Sequence, residues 1–332
     1  MQNYAQQIFV LTPVQLESFV EDWVQQRSKE YHSYQRWSGT GDLGRDVTGY
    51  VTSLRMGGLW DNFQCKQLGC KLSERSLFVE LGKIFMHAAA GAYSLPRAYV
   101  FVAPKGVVRP ALAFISDPAK FQQAFIDRWD KFIASHLVQS QVVKLSPAIE
   151  FQIKAFDFTK IDYLDASKLA KDPACIAALV KWFGADPGKG PSGLVPAVID
   201  ASESAYLGQL LTVYNERGPS SYPDPQTALA CPQIGPHLSR QRTRFFDATA
   251  FDRFYRDSTP PELVEQFRHE IHHGVVDVHQ DDHASKFMRI NQVMQQAAVL
   301  HATGVLGKHA GPQVKQGTCH MLANEGVMPW DA

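Results

Sequence analysis

Asp46, Gln64 and Lys66 are the residues whose chemistry raises the first question. They lie in the stretch GDLGRDVTGYVTSLRMGGLWDNFQCK, residues 41–66. Hydrolysing a phosphodiester needs a divalent cation that bridges a phosphate oxygen and the attacking water. It also needs oxygen ligands for that cation, and a basic group that orients the water or stabilises developing charge. Asp46 offers a carboxylate, Gln64 a neutral amide oxygen, Cys65 a backbone carbonyl, and Lys66 the basic group. Magnesium, or manganese in its place, takes hard oxygen ligands. Magnesium keeps several of its waters, so one or two carboxylates suffice.

These side chains need two strands to bring them together. Period-2 alternation puts Asp46, Thr48 and Tyr50 on one face of the first strand, and Val47, Gly49 and Val51 on the other. Gly57-Gly58 is a hairpin signal. The next strand sets Asn62, Gln64 and Lys66 on one face, with Phe63 and Cys65 opposite. A hairpin centred on Gly57 places Asp46 across from position 68, with Lys66 as its diagonal neighbour at roughly 7–8 Å. Gly39, Gly41, Gly44 and Gly49 crowd Asp42 and Asp46, which implies close backbone approach or a special turn. The competing reading is an ordinary hairpin with polar residues facing solvent.

The surrounding elements follow from local signals. Thr12 as N-cap, Pro13 at the first helical position and Gln15 in a capping box start a helix. Its face is Leu16, Phe19, Val20, Trp23 and Val24, and Glu17 and Glu21 lie on the flank. A strand is expected near 33–38, a helix opened by Ser73 and Ser76 running to about 90, a buried strand from Arg97 to Ala103, and a helix around 116–135. That order suggests a three-layer α/β/α sandwich. Residues 184–200 are rich in Gly and Pro and read as a linker. Beyond it, residues 203–218, 260–274 and 285–304 have helical periodicity, with Gly274 and Gly304 expected to end the last two. The expected domains are therefore 1–160, an extension and linker over 161–200, and a mostly α-helical C-terminal domain over 201–332.

Leu16-Glu17, Gly41-Asp42-Leu43-Gly44-Arg45-Asp46 and Gln64-Cys65-Lys66 together resemble the restriction-endonuclease fold in its Mrr-like branch, with Gln-x-Lys in place of Glu-x-Lys. The resemblance implies that Glu17, Asp46 and Gln64 hold the metal and that Lys66 acts at the attacking water. It makes Asp42 a structural position. Further stretches are WDNFQCK, VELGK at 79–83, RAYVFVAPKG at 97–106 and GTCHMLANEGVMPW at 317–330. These are similar to effector subunits of bacterial ABC-three-component defence systems, Lamassu included. That similarity implies a DNA endonuclease working beside an SMC- or Rad50-like ATPase and a small accessory subunit. We expect such an effector to be silent when held by its partners and active as a homo-oligomer.

Bulk properties narrow the classes. Lys plus Arg and Asp plus Glu both count 33, so a strongly basic nucleic-acid binder is not indicated. Five cysteines at irregular spacing give no disulfide framework, and no secretory or membrane-spanning segment is recognisable, so a cytoplasmic protein is expected. The chief rival motif is His269-Glu270-Ile271-His272-His273, a His-Glu-x-x-His pattern that suits a zinc peptidase. Asp277, His279, His283 and Glu325 are available as a third ligand, although Gly274 is expected to end the helix there. A non-catalytic scaffold is the third class. Cys319-His320 reads as a packing motif, and Arg240, Arg242 and Arg244 as a solvated run. Lys71, Arg75, Lys83 and Lys105 are the better candidates for guiding a DNA backbone.

Overall fold

Thr12 starts the first long helix as its local sequence dictates. Its side chain accepts from the Gln15 N–H while Gln15 reaches back to the Thr12 N–H, a complete capping box, and Pro13 sits in the first turn. The computed structural model describes residues 3–37, 39, 41–217 and 221–332. Its contacts divide into two units, Met1–Ala185 and Asp186–Ala332.

In the first unit the order is α1 (Tyr4–Phe9), α2 (Pro13–Gln25), β1 (Ser33–Arg36), β2 (Val47–Tyr50), β3 (Trp60–Cys65), α3 (Glu74–Ala89), β4 (Ala98–Val102), α4 (Arg109–Ile115), α5 (Pro118–Asp127), α6 (Pro147–Ala155), β5 (Ile161–Leu164), α7 (Ala166–Lys171) and α8 (Ile176–Phe183). The sheet runs β1-β2-β3-β4-β5 in space. The β1–β2 and β2–β3 pairs are antiparallel, and β3–β4 and β4–β5 are parallel. Parallel neighbours need a crossover, and α3 supplies the first one.

Helices cover both faces of this sheet. α2 packs on β1, β2 and β3 and is backed by α8. There the Trp23 ring meets Phe63 edge-on at 5.2 Å. On the other face, Tyr50, Trp60, Tyr99 and Phe101 join Leu77, Leu81 and Phe85 of α3 and Phe121 and Phe125 of α5 in one apolar cluster. Gly49 serves close approach, since a Cβ there would lie 2.7 Å from the Tyr31 ring. Ser73 caps α3 as expected, its hydroxyl accepting from the Ser76 N–H. β1 ends at Arg36, and the expected residue 38 lies outside the described residues. The helix expected over 116–135 is broken. α5 stops at Asp127, and Trp129–Ile133 forms a π turn in which the indole of Trp129 donates to the Val143 carbonyl at 2.7 Å.

The second unit is helical: α9 (Ser204–Glu216), α10 (Pro225–Ala230), α11 (Gly235–Ser258), α12 (Pro261–Gln280), α13 (Lys286–Val299) and α14 (Pro312–Asn324). The expected end of α9 at Gly218 lies outside the described residues. Two expected helix ends are corrected. α12 runs on through Gly274, because that glycine exists for packing: a Cβ there would lie 2.5 Å from the Leu300 Cδ1. α13 stops at Val299, ahead of Gly304, where Leu300 turns to an extended ψ of 130°. The Gly/Pro-rich stretch before α9 forms no helix or strand over 184–200, but part of it is tied to α11. The Gly193 N–H donates to Asp247 Oδ1 at 2.7 Å, and the Tyr255 hydroxyl donates to the Gly188 carbonyl at 2.7 Å.

α11 and α14 pack closely. A Cβ at Gly317 would lie 1.8 Å from the Arg244 carbonyl oxygen. Gly317→Ala must therefore push two helices apart, and we expect a loss of about 1–3 kcal/mol in chemical denaturation. A loss below about 0.5 kcal/mol would be surface-like and would refute this contact.

Candidate active site

The glycine-rich turn is shaped to deliver Asp46. Leu43 and Gly44 take positive φ values of 52° and 81°, and the Gly44 N–H donates to Asp42 Oδ1 at 2.8 Å. The Tyr93 hydroxyl pins the turn by donating to the Leu43 carbonyl at 2.7 Å. Arg45 is buried. Its guanidinium stacks 3.9 Å from the centre of the Trp37 ring, and its Nε donates to the Asp42 carbonyl at 2.7 Å. Asp42 thus braces the turn through both its carboxylate and its carbonyl. Arg45, Trp37 and Tyr93 were not foreseen.

Val47 pairs with Phe63 and Tyr50 with Trp60, so continuing that register sets Asp46 across from Gln64. The expected partner was position 68, four residues further along. The shift is even, so every side chain keeps its face. The reversal is centred nearer residue 55 because the chain turns through Arg55, at a φ of 51°, and a single 3₁₀ turn over Arg55–Gly57.

Asp46 Oδ2 accepts from Gln64 Nε2 at 2.7 Å and from the Cys65 N–H at 2.7 Å. Burial pushes its carboxyl up to about 6. The charge of Lys66 and the Cys65 N–H pull it back, while Glu17 and Glu80 add to the rise. Glu17 comes from α2 and is itself raised, first by burial. Arg36 and Lys66 lower it and Asp42 raises it, so this carboxylate shares the electrostatic neighbourhood of Asp46 and Lys66. Asp46 meets Gln64 directly, while Lys66 and Glu17 act on its carboxyl through charge. Cys65 meets Asp46 through its N–H, and its thiol is buried.

Gln64 is oriented differently from the sequence reading. It presents Nε2 to Asp46, while its Oε1 accepts from the Tyr99 hydroxyl at 3.1 Å and from Asn62 Nδ2 at 3.5 Å. The physical reason is that a buried carboxylate requires donors, and the amide supplies one. For Gln64 to act as an oxygen ligand the amide must turn. Nε2 would then swing toward the Tyr99 hydroxyl and Asn62 Nδ2, so the Asn62 amide must turn with it to present Oδ1, which is buried with no hydrogen-bond partner among the described residues. Two carboxylates and a reversible amide suit a hard cation, and the orphaned Asn62 oxygen fits a joint turn of the Gln64 and Asn62 amides. Among the described residues, no group of three or more His, Cys, Asp or Glu side chains is placed to hold a metal ion.

Lys66 forms an ion pair that sequence reasoning missed: its Nζ is 3.1 Å from Glu80 Oε1. Glu80 also holds Lys83, at 3.1 Å. The signal was present, since Glu80 interrupts the apolar stripe Leu77, Phe78, Leu81 and Ile84. Of the other proposed DNA contacts, Lys71 and Arg75 are exposed, and Lys105 donates to the Gly69 carbonyl at 2.8 Å.

Residues 203–330 match the family model described as C-terminal domain 6 of the ABC-three component (ABC-3C) systems. The second unit resembles an ABC-3C domain. This similarity supports a component of an ABC-3C defence system, and a three-component system is consistent with protein partners. No curated protein and no solved structure matches the chain.

Within this ABC-3C-like region, the polar residues singled out from the sequence mostly hold the fold. Cys319 and His320 are buried. His320 accepts from the Trp330 indole at Nδ1, 3.1 Å, and its Nε2 lies 2.9 Å from Gln241 Oε1. The arginine run is not uniformly solvated, because α11 turns Arg242 inward to Glu203 and leaves Arg240 exposed. Arg244 donates to Gln241 at 2.7 Å. His269 and His273, both exposed, approach to 3.0 Å between their Nε2 atoms on the outer face of α12. Of the remaining zinc-site parts, Asp277 is exposed, and Glu270, His279, His283 and Glu325 are committed elsewhere. Glu270 accepts from Thr303 Oγ1 at 2.6 Å, and His279 and His283 contact the carbonyls of Pro329 and Val278. Glu325 pairs with Arg268. Among the described residues no helix is long and apolar enough to cross a membrane.

Proposed function

We propose that the first unit is a restriction-endonuclease-like nuclease domain, and that the chain is the DNA-cutting effector of a Lamassu-type ABC-3C system. The observation that carries this reading is the approach of Asp46 to Gln64 at 2.7 Å, with Lys66 on the same face and Glu17 close enough to perturb the Asp46 carboxyl. Glu17, Asp46 and the turned Gln64 amide would hold a magnesium or manganese ion, with the Cys65 carbonyl as a further oxygen. Such an ion would polarise the phosphate and lower the pKa of the attacking water. Lys66 orients that water and offsets charge developing on the phosphate. Lys71, Arg75 and Lys83 follow the backbone of the duplex. With 33 basic and 33 acidic residues, a single chain binds DNA weakly, which suits activation by self-association and silence beside an SMC- or Rad50-like ATPase and an accessory subunit.

The test is plasmid cleavage by purified protein with magnesium. We expect Lys66→Ala, assayed below its own measured unfolding midpoint, to lower the rate by about 10²–10³-fold. Wild-type cleavage by this variant rejects the site. Equal activity in separated monomer and oligomer rejects regulation by assembly.

A further inference from the structure

A carboxylate buried in an apolar helix stripe is unfavourable unless it is paired. Glu80 is only 9% exposed, and it is paired twice. Its Oε1 receives Lys66 at 3.1 Å, and its two oxygens receive Lys83 at 3.2 and 3.1 Å. The two lysines differ in access: the Lys66 side chain is 19% exposed and that of Lys83 31%. Glycines fix the helix that carries this pairing. A Cβ at Gly44 would lie 2.9 Å from the Lys83 Cβ, so the turn that delivers Asp46 rests against the stem of Lys83. A Cβ at Gly82 would lie 2.6 Å from Ile133 Cγ2, so α3 is also closely backed there. Glu80 is thus tied to Lys66, just after β3, and through the stem of Lys83 to the turn that bears Asp46.

The geometry points to Glu80 as a positioning residue that divides labour between two cations, holding Lys66 beside Asp46 for the chemical step and Lys83 toward a DNA phosphate. The assignment rests on the nuclease reading above. Glu80 itself need not touch substrate. It supplies a fixed counter-charge without which Lys66, on a flexible stem, samples positions away from Asp46.

Full-length variants are assayed with duplex DNA and magnesium, well below their measured unfolding midpoints. Glu80→Gln keeps the shape and one acceptor but loses the charge. We expect kcat to fall about 10- to 100-fold, the scale of a misplaced catalytic group, with KM changed less than about twofold. Glu80→Asp should recover part of that loss. Lys83→Ala should act mainly on KM, and should reduce the slope of log affinity against log salt by about 0.9, one phosphate contact. Wild-type kcat in Glu80→Gln overturns the assignment. So does a loss explained entirely by a lowered unfolding midpoint, with no split between kcat and KM. An inactive Lys66→Ala beside a fully active Glu80→Gln removes the Glu80 role and leaves the nuclease reading standing. Full activity in Lys66→Ala, or no cleavage by wild type, overturns both.

Discussion

Replacing Asp46 with asparagine is expected to abolish magnesium-dependent cleavage, by about a thousandfold or more, and at the same time to stabilise the metal-free protein at neutral pH. The two effects share one cause. Asp46 is 7% exposed, and its carboxyl titrates near 6 in the folded chain against 3.8 for the ordinary value. Below about pH 3.8 both the folded and unfolded chains carry the proton, and no penalty exists. Between 3.8 and 6 the folded chain holds the proton longer, so stability falls as pH rises. Above about 6 the full penalty of roughly 3 kcal/mol is present. Asparagine removes that penalty, and its Oδ1 can still accept from Gln64 and from the Cys65 N–H. Urea unfolding of both proteins near pH 4 and pH 7.5 is the check. The variant should gain stability at the higher pH, and the gain should shrink toward the lower one. A constant difference across that range would contradict the assignment of a raised Asp46.

Arg242→Met is expected to destabilise the C-terminal unit by about 3–5 kcal/mol. Glu203 is fully buried, and Arg242 grips it with two bonds, Nε to Oε2 at 2.8 Å and Nη2 to Oε1 at 2.7 Å. The same Nη2 reaches the Pro196 and Val198 carbonyls at 3.0 and 3.3 Å, so the guanidinium also fastens the segment before α9. Methionine fills much of the volume but strands a buried carboxylate. Adding Glu203→Gln should restore most of the loss, because the amide oxygen can still accept from the Asp200 N–H, now made at 2.9 Å by the carboxylate. Denaturation of the two variants decides the matter. A single-variant loss under about 1 kcal/mol would mean that the pair contributes little.

Local chemistry made several elements legible from the sequence. Thr12 and Gln15 announced α2, Ser73 announced α3, and period-2 alternation placed Asp46, Gln64 and Lys66 on one face even though the register was wrong by four residues. Parity survived because an even slip preserves it. What could not be read locally depended on tertiary contact. Gly274 looks like a helix end in one dimension, and only the Leu300 side chain explains why it lies mid-helix. The orientation of the Gln64 amide depends on Tyr99, which arrives through a crossover 35 residues later. Along α11 the sequence reads only as a solvated helix or loop face around residues 240–244, because Arg242 and Gln241 take buried positions an apolar residue would normally hold. Glu80 was passed over for the opposite reason, since the apolar residues around it marked a core face.

The two outermost strands, β1 and β5, are each four residues long, and β5 carries an exposed aspartate at Asp162. Short, charged margins offer an incoming chain few unpaired backbone groups to template against, which is how natural sheets discourage intermolecular zippering and fibril growth. A protein whose proposed activity depends on crowding its own copies together gains from such margins: association can proceed through side-chain surfaces without inviting aggregation along the backbone.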